Sequence, residues 1–140
     1  MNAQPDQPLQ ATVPFQRASA QAPLILVDVR IDQQGPFKFV LDTGASASGL
    51  SRKLADRLRL ADGKQIEAQG CGASVQASSV RVGELSVGPL RLKEPALFVT
   101  DLSPICGRVG GEIDGILGHD FLHRWRVLID YPEKTVTFSR

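Results

Sequence analysis

An all-β fold with one or two short helices is what this sequence predicts, and three stretches carry the prediction. Pro23 to Ile31 alternates with the period of a strand, and Lys64 to Val99 reads as extended segments broken by glycine and proline. Arg126 to Tyr131 and Thr135 to Phe138 flank a Pro132-Glu133-Lys134 turn as a closing hairpin. At 140 residues the chain is long enough for one domain with a real core and short for two. Its 42% hydrophobic and 22% charged residues place it with ordinary globular domains. A formal net charge of +1, with the basic residues dispersed, gives no electrostatic case for nucleic acid. The longest apolar run, around Pro23 to Val29, is strand-sized and interrupted by Asp28, so no membrane span and a soluble protein are expected.

Taken in order, Met1 to Gln10 is rich in Gln, Pro and Asp and reads as a disordered tail, leaving 11–140 as the folded domain. It lacks the basic start and apolar run of a signal peptide. Ala3-Gln4-Pro5 behind Met1 fits a mature exported sequence with an added initiator, so an exported or periplasmic location is favoured over a cytoplasmic one. Ala11 to Arg17 alternates weakly. In the next strand Ile25, Val27, Val29 and Ile31 form a purely aliphatic face expected to point inward, with Leu24, Leu26, Asp28 and Arg30 on the other. Gln33-Gln34-Gly35-Pro36 is a turn, and the strand from Phe37 to Leu41 completes a hairpin whose second arm ends in Asp42.

That arm drives an apolar strand into a carboxylate, which is costly to bury unpaired and so needs compensation. Gly44 offers a backbone N–H close to the acid, and the Thr43 hydroxyl can brace the loop. Asp and Gly are also common turn residues, so an ordinary strand-to-turn junction is the plain alternative. After the loop, Ser51 reads as the N-cap of a short structural helix over Arg52 to Leu60, ended by Asp62-Gly63.

Gln65 to Ala68 and Val75 to Val82 read as the arms of a long hairpin whose tip holds Gly70, Cys71 and Gly72. Turns and strands continue through Val82 to Leu90, and Ala96 to Val99 is a further buried strand. Asp101 to Gly111 is a turn-rich surface loop. Ile116-Leu117 is a short apolar strand stopped by Gly118, and His119 to Arg124 is a short helix with Phe121 and Leu122 turned inward.

Asp42-Thr43-Gly44-Ala45 after an apolar strand resembles the active-site loop of aspartic proteases, most closely the single-domain retropepsin-like kind found in gag polyproteins. Ile116-Leu117-Gly118 followed by a short helix is similar to the family's second signature. There, such a segment crosses behind the acidic loop and supports it in a psi-shaped arrangement. The order strand, Asp-Thr-Gly-Ala, glycine-containing hairpin, Ile-Leu-Gly, helix, final hairpin is the family's, and the match runs from about Pro23 to Phe138. Retroviral members usually carry Arg after that Gly. His119 stands there in this chain, as in cellular and bacterial relatives.

The resemblance implies a closed β-barrel or sandwich with a flap hairpin and a psi-loop. It implies Asp42 as the catalytic acid and Thr43, Gly44, Ala45, Ile116, Leu117 and Gly118 as its support. Gly70, Cys71 and Gly72 would form the flap tip that opens for substrate and closes over it. The chemistry needs two carboxyls, one to take a proton from water and one to donate, sharing a proton because both cannot readily ionise together. This chain has a single Asp-Thr-Gly. Asp114, Asp120 and Asp130 are poor partners: the first enters the supporting strand, the second sits on the helix, and the third belongs to a turn. A homodimer that pairs two copies of Asp42 on its twofold axis is the expected solution, with Thr43 bracing the partner's loop. Ala45 stands where pepsin-like enzymes have a hydroxyl residue, so an activity optimum less acidic than pepsin's is expected.

No cofactor and no metal are expected. His119 and His123 are four apart, but no third ligand accompanies them, so capping or surface roles are favoured. Cys71 and Cys106 form one possible pair. Free thiols are the default, because a bridge would restrain the flap. Trp125 and the six Phe are assigned to the core or a dimer interface. The expected activity is endopeptidase cleavage of an extended peptide or protein segment, with apolar pockets lined by residues such as Val75, Val80, Val99 and Ile116. A peptide-binding or assembly module that keeps the fold without pairing two acids is the alternative. A domain of a larger chain, dimerising through its missing parts, is a third reading.

Overall fold

The computed structural model describes residues 8–21, 23–70, 73–103 and 113–140. Its strands are β1 Gln10–Arg17, β2 Ile25–Ile31, β3 Gln34–Leu41, β4 Gly49–Ser51, β5 Gln65–Gly70, β6 Ala73–Arg81, β7 Glu84–Val87, β8 Leu90–Lys93, β9 Ala96–Thr100, β10 Gly115–Leu117, β11 Arg126–Asp130 and β12 Thr135–Ser139. Two short helices, α1 Arg52–Arg57 and α2 His119–Leu122, complete the described elements. The strands run in the order β11-β12-β1-β2-β3-β10-β4-β9-β6-β5, with β7 on β2 and β8 on β7.

The all-β expectation holds, and of its two forms the open sandwich is the one present. The strand path has two ends, β11 and β5, instead of closing into a barrel. β1 explains how one path makes two layers. Its residues Gln10 to Pro14 pair with β12, while Phe15 to Arg17 pair with β2, so the strand passes from one sheet into the other. β1 starts inside the stretch read as a tail: Gln10 pairs with Ser139, and the Arg140 N–H donates to the Leu9 carbonyl at 3.2 Å. Residues 1–7 lie outside the described residues.

Alternation does most of the remaining work. In β2, Ile25, Val27, Val29 and Ile31 are buried and Asp28 and Arg30 exposed, as the pattern required. Leu26 departs from it and is also buried, because the opposite face of β2 meets a second, smaller cluster with Val40, Ala45, Phe98 and Ile116. The larger core holds Phe39, Leu50, Leu85, Leu117, Phe121 and Phe138. All six Phe are buried, each worth roughly 1.5–3 kcal/mol relative to exposure. Trp125 packs half-buried against this core with the Arg140 guanidinium 4.9 Å from its ring centroid.

The first turn falls earlier than expected: Gln34, Gly35 and Pro36, read as part of it, already belong to β3, and the reversal is made by Asp32 and Gln33. Asp32 and Gln33 adopt φ of 49° and 69° between β2 and β3, a left-handed pair that matches the twist of a tight hairpin. Ser51 caps α1, its hydroxyl accepting the Leu54 N–H at 3.0 Å. The helix stops at Arg57, short of the expected Leu60, because Arg59 turns to a φ of 57°. The β5–β6 hairpin forms between Gln65 and Arg81, and its tip residues Cys71 and Gly72 lie outside the described residues. Cys106 and most of the loop from Asp101 to Gly111 lie outside them too.

Candidate active site

β3 delivers Asp42, the chain turns through Thr43 to Ala47, and β4 leads away. β10 slots between the two strands. It runs parallel to β3, with Ile116 opposite Val40 and Leu117 opposite Leu41, and antiparallel to β4, with Ile116 opposite Gly49. This is the psi-shaped crossing, built by residues far apart in the chain: Leu117 lies 75 positions after Asp42, whose N–H it accepts.

Three backbone bonds fix the loop. The Asp42 N–H donates to the Leu117 carbonyl at 3.0 Å, Ala45 N–H to the Asp42 carbonyl at 3.2 Å, and His119 N–H to the Ala45 carbonyl at 2.9 Å. The Asp42 carboxylate accepts the Gly44 N–H at 2.9 Å, the compensation the sequence called for. Ala45 is buried beneath, while Thr43, Gly44 and Ser46 are exposed and Asp42 is half-exposed. The acid is therefore held rigidly and presented outward.

Asp42, Thr43, Gly44, Ala45, Ile116, Leu117 and Gly118 thus come together as one unit. Gly118 is required by close approach: a Cβ there would lie 2.6 Å from the Ala47 carbonyl oxygen and 3.0 Å from that of Ala45. Gly70 ends β5, opposite Ala73. Cys71 and Gly72, the next two residues at the hairpin tip, lie outside the described residues. Two residues expected to line the substrate pockets go elsewhere. Val80 and Val99 are buried in the larger core, on the opposite strand faces from Ala77 and Phe98, which join Ile116 in the smaller cluster. The Val75 side chain lies outside the described ones.

Sequence reasoning missed a second tier of support. Asp120 Oδ1 accepts the Ser48 N–H at 3.0 Å, the Ser48 hydroxyl at 2.6 Å and the Phe121 N–H at 2.9 Å. Ser48 Oγ in turn accepts the Gly118 N–H at 2.9 Å. The sequence carries no signal for this pair: the burial of Ser48 is known only from the fold, and its partner is remote in the chain. Asp114 is structural. Its carboxylate accepts the Lys38 N–H at 2.9 Å, its N–H donates to the Lys38 carbonyl at 2.8 Å, and its carbonyl accepts the Ser51 N–H at 2.8 Å.

The rings of His119 and His123 stack at 4.8 Å and 18°, and His123 Nδ1 lies 2.7 Å from the His119 carbonyl, which only a donor can satisfy. Among the described residues no three His, Cys, Asp or Glu side chains converge as a metal site. No described helix is long and apolar enough to cross a membrane.

Comparison with solved structures finds the same fold in a retropepsin-like aspartic protease from Rickettsia conorii, at 17% identity and a TM-score of 0.59, covering 92% of this chain and 88% of that one. The retroviral protease-like domain of Ddi1 from Leishmania major also matches, at 22% identity and a TM-score of 0.47, over 84% of this chain and 94% of that domain. No curated protein sequence matches. The family model described as aspartyl protease matches residues 27–121, a span that holds the acidic loop, the hairpin and the crossing strand and ends within α2. With that span covering more than half of the sequence, the chain belongs to the aspartyl protease family.

Proposed function

We propose that this protein is an aspartic endopeptidase that works as a homodimer, hydrolysing a peptide bond by a water held between two Asp42 carboxylates. The observation that carries the reading is the Asp42 carboxylate itself, fixed by the Gly44 N–H at 2.9 Å on a loop that is locked from behind and open in front. A twofold axis at this loop brings the identical acid of a second copy opposite the first without any further design. One ionised carboxyl takes the proton of the attacking water while the other, protonated, donates to the carbonyl oxygen as the carbonyl carbon becomes tetrahedral; collapse of that gem-diol returns one hydroxyl proton to the pair and passes a proton from the pair to the amide nitrogen as the C–N bond breaks. Holding acid, water and carbonyl in place lowers the entropic part of the barrier. The exposed Thr43 braces the partner's loop. The β5–β6 hairpin covers an extended peptide, whose backbone adds to it as a strand.

The substrate side of the loop is backed by the smaller cluster, so apolar side chains suit the positions next to the cleaved bond. The test is cleavage of a mixed peptide library, with oligomeric state measured by sedimentation. Cleavage by the wild type, its loss in Asp42→Asn, and a dimeric active species are the expected results. A folded chain that binds peptides but never cuts them, with or without Asp42, would instead make it a peptide-binding module.

A further inference from the structure

We propose that the cleft between β1 and the turn joining β11 to β12 binds the C-terminal residue of a peptide, holding its free carboxylate between Arg17 and Lys134 and its apolar side chain over Phe15. The cleft has a volume of about 330 Å³ and is lined by Phe15, Gln16, Arg17, Ser19, Ala20 and Lys134. That is near the lower end of small-ligand sites, which pair an apolar surface with a few polar groups that fix orientation.

Its walls are fixed by hydrogen bonds before any ligand arrives. The Phe15 N–H donates to the Lys134 carbonyl at 2.9 Å and seats the turn against β1. The Ala18 N–H donates to the Leu24 carbonyl at 3.0 Å and closes the loop that follows the strand. Arg17 Nη2 donates to the Ala20 carbonyl at 3.0 Å, which orients the guanidinium and leaves its other N–H groups for an acceptor. Phe15 is buried, with the Tyr131 ring edge-on to it at 5.9 Å. Phe15 and Arg17 are two apart on β1 and share a face, which sets the apolar floor beside one of the cations.

Charge selects the ligand. The cleft beside Asp101 combines that acid with Arg52 and Lys53, and the cleft beside Asp28 combines that acid with Arg30. This one carries two cations and no acid among its lining residues. Neither Arg17 nor Lys134 is in an ion pair with another described residue. An anion with an apolar body answers both the charges and the floor between them. The end of a peptide fits better than a fatty acid, because a cleft of this size takes one side chain and not a long acyl tail. The Gln16 amide can also donate to and accept from a peptide bond. None of the lining residues belongs to the acidic loop or its supporting strand, so the site does not depend on the chain cutting peptides.

The test is titration of the full chain with N-acetyl-leucine, followed by backbone amide chemical shifts. Saturable shifts at Phe15 to Ala20 and at Lys134 are expected, with a dissociation constant on the order of 1 mM, and Asp42→Asn gives the same result. N-acetyl-leucinamide, which lacks the charge, binds about tenfold more weakly. Arg17→Gln and Lys134→Gln each weaken binding of the free acid about three- to tenfold, and added salt weakens it in the wild type. Both side chains are exposed, so thermal melts of the two variants match the wild type. No saturable shifts at the cleft, or equal affinity for acid and amide, overturns the proposal. Tighter binding of decanoate than of N-acetyl-leucine overturns the choice of a peptide end and assigns the cleft to acyl chains.

Discussion

Asp120 holds Ser48 from 72 residues away, accepting both its N–H and its hydroxyl on one carboxylate oxygen. Ser48 passes the restraint on by accepting the Gly118 N–H at 2.9 Å. The acidic loop is thereby tied to α2 through one hydroxyl at the point where β10 ends. A rigid loop is what an acid needs if a water is to be held in place, because errors of an ångström in position are expensive in rate.

Replacing Asp120 by Ala strips two buried donors of Ser48 of their acceptor, at a cost of about 1–3 kcal/mol. Asp120→Asn keeps an oxygen in the same place and recovers most of it. If the network positions Asp42, peptide cleavage by Asp120→Ala falls mainly in kcat, and Asp120→Asn restores that as well. A double-mutant cycle with Ser48→Ala gives strong non-additivity in stability, since each change already removes the shared bond. Additive losses in urea unfolding would show that the two residues act separately.

Gly118 supplies a second, sharper prediction. Its φ of −115° and ψ of −162° are open to any residue, so strain does not forbid a side chain. Space does: a Cβ meets two carbonyl oxygens and one carbonyl carbon of the loop within 3.0 Å, all of them backbone atoms with no rotamer to escape into. Gly118→Ala costs roughly 1–3 kcal/mol, as overpacking does, and shifts the loop carrying Asp42. Both a lower denaturant midpoint and a loss of cleavage are expected. A variant with normal stability and activity would mean that the crossing has slack.

Much of this was legible because it is local or periodic. The aliphatic face of β2, the Ser51 cap three residues from its donor, and the strand that ends in Asp42 follow from neighbours in the chain. The Ile116-Leu117-Gly118 crossing was legible only through family resemblance, since its parallel pairing with Val40 and Leu41 has no local signature. Ser48 and Asp120 were not legible at all: a buried hydroxyl announces a need for a partner but not which one. Leu26, Val80 and Val99 show a different gap. Strand alternation says which side chains share a face, whereas the layer that this face meets depends on how the sheet folds over. In a sandwich with two clusters, both faces of a strand can be apolar.

Arg52 and Asp62 carry a pH prediction whose sign is fixed by geometry. The Arg52 guanidinium meets the carboxylate in two parallel bonds of 2.9 and 3.0 Å, closing the turn after α1. Hydrogen bonding from Arg52, reinforced by its charge, holds the Asp62 carboxyl below its ordinary value of 3.8. A carboxyl lowered in the folded state adds stability above its unfolded value, and that stability is lost as pH falls through the lower folded value. The advantage of wild type over Asp62→Asn in melting temperature is therefore present at neutral pH, begins to shrink only below about pH 4, and vanishes in stronger acid. Because the pair is exposed, the neutral-pH advantage is small and falls further in high salt. Melting curves for both proteins from neutral to strongly acidic pH check this, and a gap that stays constant across that range would detach the turn's stability from the ion pair.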